Sequence, residues 1–224
     1  IVENRPYIDL ADFIYRSGAE RPTVEGLVKV GAFDALHHLD SNNLNRRDLI
    51  LHLQDIYKLS SERGLAGQLS LELEAPQLRS SGLPKLSTSE VVKNEIDLLG
   101  IDLSKHLIEF YGEFLNSIGA IRSCDLIKER SGSSVLVAGV KVALQTPPVR
   151  SGKRVMFLTL DDGFGCNDIT FFEDVQKSCA ALLKNSWLFL VKGEIRRTGP
   201  RGISIRAEAA WELSESCERW RNLK

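Results

Sequence analysis

The sequence has few cysteines and histidines, the residues that most often hold metal ions. Its 224 residues include four histidines and four cysteines, the latter at positions 124, 166, 179 and 217. No two cysteines form a Cys-x-x-Cys pair, and no histidine lies near a cysteine at zinc-finger spacing, so a structural zinc site is not expected. A chain of this length needs no disulfide framework. We therefore interpret the cysteines as reduced thiols and expect no metal or other cofactor in this chain.

The sequence also lacks long apolar runs and the motifs of common catalytic sites. No run approaches the ~20 apolar residues that cross a bilayer, and no signal peptide is visible, so we expect a cytoplasmic protein without a membrane partner. Because the chain starts at Ile1 rather than Met, we interpret it as a fragment or a processed piece. The adjacent acids Asp161 and Asp162 would point to opposite faces of a strand and more naturally form a turn. We predict no catalytic residue in this chain.

Charge is distributed unevenly along a chain of ordinary globular composition, with 43% hydrophobic and 26% charged residues. Residues 1–131 carry 15 Lys and Arg against 20 Asp and Glu, whereas residues 132–224 carry 14 against 10. The later region is therefore the candidate for a polyanionic partner.

Apolar residues repeat at helical spacing in the first part of the chain. Val24, Leu27 and Val28 share one helix face, Gly31 can end that helix, and Phe33 resumes the apolar pattern at once. This pattern predicts two helices joined by a tight turn.

The next stretch predicts a helix, a linker and two more helices. Residues 46–59 carry an apolar stripe, and residues 60–88 are rich in Pro, Gly and Ser. A helix should begin after Ser87 and end at Gly100, and a further helix should cover 105–117.

After a Ser- and Gly-rich boundary at 131–134, the hydrophobic period changes to two. Strands are predicted at 135–144, 155–160, 167–171, 187–197 and 203–207, with one helix at 172–184. Five strands with a helix between the third and fourth are typical of an OB-fold β-barrel.

Basic side chains cluster in two loops of this predicted barrel. An OB-fold binds nucleic acid across strands two and three, between the loops that join strands one to two and four to five. We predict a site for single-stranded DNA from both loops and one aromatic of strand two: Arg150, Lys153, Arg154, Phe157, Arg196, Arg197 and Arg201. Arginine suits phosphate and stacks on bases. The other aromatics of the barrel are either stacking residues or core: Phe171, Phe172, Trp187 and Phe189.

Several stretches of the chain resemble the bacterial DNA polymerase III alpha subunit. Residues 21–36, RPTVEGLVKVGAFDAL, resemble the helix-hairpin-helix region at the end of its fingers. The stretches VLVAGVKV, VMFLTLDDGFGCNDITFF and LFLVKGEI, within 135–213, resemble its OB domain. At Ser104-Lys105-His106-Leu107 the Gly and Pro of the family are missing, which fits a divergent or error-prone subclass.

The resemblance implies DNA binding as part of a polymerase. The OB domain would hold single-stranded template, and the hairpin would hold duplex backbone through Lys29, Val30, Gly31 and Ala32. A linker segment resembles the motif that binds the sliding clamp: Gln68, Leu69, Ser70, Leu71, Glu72 and Leu73. The clamp and other replicase subunits are thus expected partners. The parent would be a DNA-directed DNA polymerase that uses magnesium. This chain lacks the palm carboxylates and is predicted to be inactive alone.

Together these observations predict an α+β chain of three parts and a tail. Residues 1–59 would be helical and contain the helix-hairpin-helix element, 60–131 would form an extended linker with helices, 132–213 the OB-fold barrel and 214–224 a C-terminal tail. Two other functions fit the same pattern. One is a stand-alone OB-fold module that binds tRNA or other RNA, and the other is an interaction module whose groove holds a peptide.

Overall fold

A computed structural model describes residues 1–39, 41, 43–65, 77–147, 155–197, 199 and 202–224. The chain divides into two compact units, a helical unit, Ile1–Lys105, and a barrel unit, His106–Lys224. None of the helices in the described residues is long and apolar enough to span a membrane.

The described residues of the helical unit form four α-helices: α1 (Leu10–Ser17), α2 (Arg21–Lys29), α3 (Arg46–Leu65) and α4 (Thr88–Leu99). Capping residues fix both ends of α4. Ser87 and Glu90 form a capping box at the start of α4, and Gly100 ends it in the left-handed conformation, as the sequence predicts. The apolar faces of α1, α2 and α3 meet in one core, in which Leu10, Val24 and Leu53 are fully buried.

The segment after α2 differs from the predicted pair of helices. Residues 30–39 form successive turns, and the next regular helix in the described residues is α3. Two features interrupt helix formation: Gly31 has φ +84° and His38 has φ +50°. A side chain at Gly31 would also collide with the guanidinium of Arg46, which pairs with Asp34 at 2.6 Å. Phe33 is nevertheless buried in the core, so the apolar pattern reports burial here rather than a helix.

Part of the predicted linker is fixed to α3 by hydrogen bonds. Asp48, which is fully buried, accepts from the backbone NH of Ser81 at 2.8 Å and from its hydroxyl at 2.5 Å. The amide of Asn45 donates to the carbonyl of Leu83 at 2.9 Å, and Nε2 of His52 accepts from the NH of Arg79 at 3.0 Å. Residues 77–87 are therefore irregular but held in place.

The barrel unit is a closed five-stranded barrel: β1 (Ser134–Gln145), β2 (Met156–Asp161), β3 (Cys166–Phe171), β4 (Leu188–Arg197) and β5 (Ile203–Glu212). The strand order is β1-β2-β3-β5-β4, with β3 and β5 parallel and the other neighbours antiparallel. Helix α6 (Glu173–Asn185) lies between β3 and β4, as predicted, and contributes Cys179 and Leu183 to the barrel core. This arrangement confirms the α+β class with an OB-fold barrel.

Gly139 in β1 allows the barrel to close tightly. A Cβ atom at this position would lie 2.7 Å from Cβ of Leu160 and 2.8 Å from the carbonyl oxygen of Asp161 on β2. The ladder between β1 and β2 shifts register just beyond it, between Lys141 and Ala143. A glycine at this position therefore permits the close approach of β2 to β1.

The outer surface of β1 and β4 is covered by short helices. A 3-10 helix (Leu107–Tyr111), α5 (Gly112–Ser117) and α7 (Leu213–Asn222) share an apolar cluster with these strands, in which Phe114, Ala138, Leu190, Leu213 and Cys217 are buried. The C-terminal tail predicted at 214–224 is thus helical through residue 222. A second 3-10 helix covers Ser123–Lys128. The outer faces of β2 and β3 are not part of this apolar cluster and form the candidate binding surface.

Candidate nucleic-acid interface

Side chains of β2 alternate between the barrel core and the outer surface. Leu158 and Leu160 are fully buried, whereas Phe157 between Met156 and Leu158 is 41% exposed. The sequence pattern predicts this parity, because Phe157 is out of step with the apolar residues. An exposed aromatic ring on strand two is available to stack on a base.

Strand pairing places Phe157 in a row that crosses three strands. Phe157 lies opposite Thr170 on β3, and Thr170 lies opposite Arg206 on β5. We call these three residues the Phe157 row. Phe157 is the second residue of β2 and follows the first basic segment of the sequence, 146–155. Arg206 is the fourth residue of β5 and follows the second basic segment, 198–202. Arg206 is not among the site residues predicted from the sequence, although its alternation with Ile205 and Ala207, both buried, indicates an outward side chain.

Two arginines flank the ring of Phe172 next to this row. The guanidinium carbon of Arg206 lies 5.3 Å from the ring centroid, and that of Arg196 lies 5.7 Å from it. Both distances are within cation–π range. Arg206 also lies 3.9 Å from a carboxylate oxygen of Asp174, and its side chain is 41% exposed. Two exposed guanidinium groups thus converge on one aromatic ring.

The neighbouring arginines Arg196 and Arg197 differ in their surroundings. Arg197 donates through Nε to the carbonyl of Glu129 at 3.2 Å and through Nη2 to the carbonyls of Glu129 and Ile127. These bonds attach β4 to the segment before the barrel and occupy much of the guanidinium. Arg196 is the more available of the two for a phosphate. The other predicted basic residues lie outside the described residues: Arg150, Lys153, Arg154 and Arg201.

The remaining aromatics of the barrel separate into core and surface. Phe171 and Phe189 are fully buried in the core, whereas Trp187 is 69% exposed. Nζ of Lys141 lies 5.1 Å from the Trp187 ring and donates to the carbonyl of Leu183 at 3.1 Å. Of the four aromatics that the sequence assigns either to base stacking or to the core, Phe172 and Trp187 therefore remain candidates for stacking on a base.

The other end of the β2–β3 surface carries carboxylates. Thr159 lies opposite Asp168 and donates to its Oδ1 at 2.9 Å, and Asp161 lies opposite Cys166. Burial raises the pKa of the Cys166 thiol, and the carboxylates of Asp161 and Asp168 raise it further. The thiol therefore stays protonated and weakly nucleophilic at neutral pH.

Asp162 fixes the turn between β2 and β3. Only 4% exposed, it accepts from the NH of Ser123 at 2.6 Å, from the Ser123 hydroxyl at 2.7 Å, and from the NH groups of Phe164 and Gly165. The turn predicted at these two acids is present, and Asp162 stabilises it. The described residues contain no group of three histidine, cysteine or carboxylate side chains that could hold a metal ion.

The predicted duplex contact lies at the end of α2. The NH groups of Val30, Gly31 and Ala32 donate to carbonyls within the chain, at distances of 3.0–3.1 Å. Nζ of Lys29 lies 2.8 Å from a carboxylate oxygen of Glu25. The amides of the turn are thus engaged inside the helical unit. The predicted clamp-binding segment, with Gln68, Leu69, Ser70, Leu71 and Leu73, lies outside the described residues.

Comparison with known proteins finds a family match for the barrel and sequence relatives for most of the chain. Residues 135–213 match the model of the tRNA_anti-codon family, described as an OB-fold nucleic acid binding domain. An error-prone DNA polymerase of Symbiobacterium thermophilum is 35% identical over 191 residues, which cover 78% of this chain and 17% of that protein. The DNA polymerase III subunit alpha of Pasteurella multocida is 28% identical over 184 residues, which cover 78% of this chain and 15% of that protein.

Relatives of both kinds match between 78% and 96% of this chain, whereas the chain spans only about a fifth of their length. Among solved structures, an asparaginyl-tRNA synthetase of Pyrococcus horikoshii is similar over 42% of this chain and 23% of that chain, with 19% identity and a TM-score of 0.35. A likeness this distant carries no functional inference. The sequence relatives confirm the resemblance that the motifs indicate.

Proposed function

We propose that this chain, which is homologous to DNA polymerase III alpha subunits and error-prone DNA polymerases, binds single-stranded DNA on the β2–β3 surface of its barrel. It would do so as one part of a cytoplasmic DNA-directed DNA polymerase that works with other replicase subunits and uses magnesium at a site outside this chain. Its own part in DNA synthesis would be to hold the template strand.

The observation that carries this proposal is the Phe157 row together with the two arginines at Phe172. Phe157 offers an exposed face for base stacking, and Arg196 and Arg206 offer guanidinium groups to phosphates of the same strand. Stacking platforms next to a basic path are the usual means of binding single strands without reading their sequence. In the sequence, the basic segments 146–155 and 198–202 come shortly before Phe157 and Arg206, the two ends of the row.

Binding of a fluorescein-labelled oligo-dT to the 224-residue chain tests the proposal. We expect an affinity that falls steeply with salt, because each neutralised phosphate of a single strand contributes about −0.7 to the slope of log K against log salt. Arg206→Ala should weaken binding and make that slope shallower by about 0.7. Flat salt dependence, or no binding, would contradict the proposal and favour the peptide-binding alternative.

Phe157→Ala separates stacking from charge. Loss of one stacked base should weaken oligo-dT binding by about five- to 150-fold, with little change in the salt slope. Phe157→Trp should retain binding. Tyr15→Ala is a matched control, because Tyr15 is an aromatic of similar exposure, 56%, in the helical unit. Equal losses from both alanine variants would remove Phe157 from the site.

RNA binding is the second candidate, favoured by the match of 135–213 to the tRNA_anti-codon family. The same salt series with oligo-U and with tRNA decides between the two. Tighter binding of tRNA than of oligo-dT at every salt concentration would support an RNA-binding module instead of a template-binding one.

We also propose that the segment from Gln68 to Leu73 binds the sliding clamp. In an extended segment Leu71 and Leu73 project from the same side and can enter apolar pockets, while the Gln68 amide can form hydrogen bonds. A double substitution, Gln68→Ala with Leu71→Ala, should abolish capture of the chain by immobilised clamp. Glu74→Gln, just outside the segment, should leave capture unchanged. Undiminished capture of the double variant would contradict this role.

Contact with duplex backbone at the end of α2 is the third part of the proposal. Because the amides of Val30, Gly31 and Ala32 already donate within the chain, the Lys29 side chain is the group that would reach a phosphate. Lys29→Ala should weaken binding of a blunt duplex and leave oligo-dT binding unchanged. An unchanged affinity for duplex would remove this contact.

A further inference from the structure

The outward surface of β2 and β3 changes charge from one end to the other. Strand pairing arranges it in three successive rows: Phe157 with Thr170, Thr159 with Asp168, and Asp161 with Cys166. Rows on one face are two residues apart along the strand, about 7 Å. The first row continues to a cation, Arg206 on β5, whereas the second and third each contain a carboxylate.

Both carboxylates face solvent and have neutral or weakly basic neighbours. Asp168 is exposed, and its hydrogen-bond donor is the neutral hydroxyl of Thr159. Asp161 is 40% exposed, with Nε2 of His106 at 3.9 Å and the NH of Gly163 donating to its Oδ1 at 2.8 Å. Burial is the main cause of the upward shift of the Cys166 pKa, and the carboxylates of Asp161 and Asp168 add to it.

A phosphate on the second row would meet the negative potential of these carboxylates directly. The Debye length at physiological ionic strength is about 8 Å, so Asp168, about 7 Å from the Phe157 row, still acts on a strand bound there. Repulsion between the Asp168 carboxylate and a phosphate at such distances favours a position of the DNA backbone closer to Arg206 and Arg196. A strand that crosses from β2 to β5 along the Phe157 row satisfies the cations, whereas a strand that runs along β2 approaches both carboxylates.

We propose that Asp168 and Asp161 set one edge of the nucleic-acid footprint and confine the backbone to the Phe157 row. This inference rests on the proposed binding of single-stranded DNA and adds its path. The carboxylates act by exclusion: they lower affinity at the carboxylate end of the surface and thereby determine where the strand crosses the barrel.

The test is oligo-dT binding by the 224-residue chain with Asp168→Asn and with Asp161→Asn. Asparagine keeps an oxygen that can accept from Thr159, so Asp168→Asn removes the charge and retains the contact. We expect Asp168→Asn to bind oligo-dT about three- to tenfold more tightly at low salt, and the gain should disappear at high salt. Asp161→Asn should give a smaller gain because it lies one row farther away.

Oligomer length distinguishes a widened footprint from a general charge effect. The gain from Asp168→Asn should be larger for long oligo-dT than for the shortest oligomer that the unsubstituted chain binds. Glu218→Gln removes one negative charge from an exposed position of α7 and should leave affinity unchanged at every length. Unchanged or weaker binding by Asp168→Asn, with oligo-dT binding by the unsubstituted chain intact, overturns the inference alone. Failure of the unsubstituted chain to bind any oligo-dT overturns the proposed function and this inference with it.

Discussion

Both units use a buried carboxylate to hold an irregular segment, and Asp162 does so at the β2–β3 turn, but in the barrel unit most of the surrounding chain is a closed sheet. In the helical unit, buried carboxylates accept hydrogen bonds from backbone NH groups. Asp48 accepts from the NH of Ser81, and Glu95 accepts from the NH of Leu103 at 2.8 Å and from that of Ser104 at 2.9 Å. In the barrel unit, the strands close on an apolar core in which Leu158, Ile169, Phe171, Phe189, Val191, Ile195 and Ile205 are all 0–1% exposed.

The two units should therefore be destabilised by different changes. A carboxylate that accepts backbone NH groups contributes to stability only while it is ionised, so the helical unit should respond to acid. A close-packed core responds instead to lost volume, so the barrel should respond to truncation of its apolar side chains. The Phe157 row lies at the other end of β2 from the Asp162 turn, so oligo-dT binding should depend on core packing more than on pH.

The largest effect is expected from truncating the barrel core. Leu158→Ala removes a fully buried side chain next to Phe157 and should cost about 2–5 kcal/mol of unfolding free energy. It should also weaken oligo-dT binding, because the outward position of Phe157 depends on the inward packing of its neighbour. Hydrogen exchange read by mass spectrometry, together with oligo-dT titration, measures both effects.

Leu53→Ala is the matched change in the helical unit, where Leu53 is also fully buried. It should destabilise α1, α2 and α3 by a similar amount and leave oligo-dT binding intact. If both variants weaken oligo-dT binding equally, the interface does not belong to the barrel alone.

An intermediate effect is expected from Asp48→Asn. Burial alone would raise the pKa of Asp48, but hydrogen bonds from Ser81 and Asn45 outweigh it and hold the pKa below its ordinary value of 3.8. Its stabilising contribution is therefore present above pH 3.8 and is lost as pH falls through the lower value of the folded state. Removing the charge should cost about 1–3 kcal/mol and speed hydrogen exchange in residues 77–87 at neutral pH.

Asp55→Asn is the control, since Asp55 is an exposed acid on the same helix. It should leave exchange in residues 77–87 unchanged. Normal protection of that segment in Asp48→Asn would show that apolar contacts, rather than the carboxylate, hold it on α3.

The same contrast explains which features the sequence could predict. The strands of the barrel follow from alternation within each segment, and Met156–Asp161 lies within one residue of its predicted bounds. The second half of β5 was missed because Ala209, Ala210 and Trp211 alternate weakly and are fixed by pairing with β4. Helix α7 was missed for a similar reason, since its apolar face, Leu213, Cys217 and Trp220, packs against partners distant in sequence.

Some residues of the candidate site could be predicted from the sequence, and others could not. Phe157 was predictable from its parity on β2, which is a local property. The convergence of Arg196 and Arg206 on Phe172 was not, because it depends on the parallel pairing of β3 with β5 and on the start of α6. Local patterns specify which way a side chain points, and the topology specifies what it meets.

The smallest effect is expected at His37, where Nε2 accepts from the NH of Leu10 at 3.1 Å. Burial lowers the pKa of His37 below its ordinary value of 6.5, and the charge of Asp9 offsets this only in part. Because the folded-state pKa is depressed, the contribution is present above pH 6.5 and is lost as pH falls through the lower folded value. The helical unit should therefore lose about 0.5–1.5 kcal/mol over this window.

Glutamine at this position separates titration from the hydrogen bond itself. His37→Gln offers an oxygen that can accept from the NH of Leu10 but does not titrate, so the helical unit should melt at nearly the same temperature on both sides of pH 6.5. His38→Asn is the control, because His38 is exposed and its φ of +50° suits asparagine. It should retain the pH dependence of the unsubstituted chain. Loss of that dependence in His38→Asn, or its persistence in His37→Gln, would assign the acid response to another group and weaken the contrast between the two units.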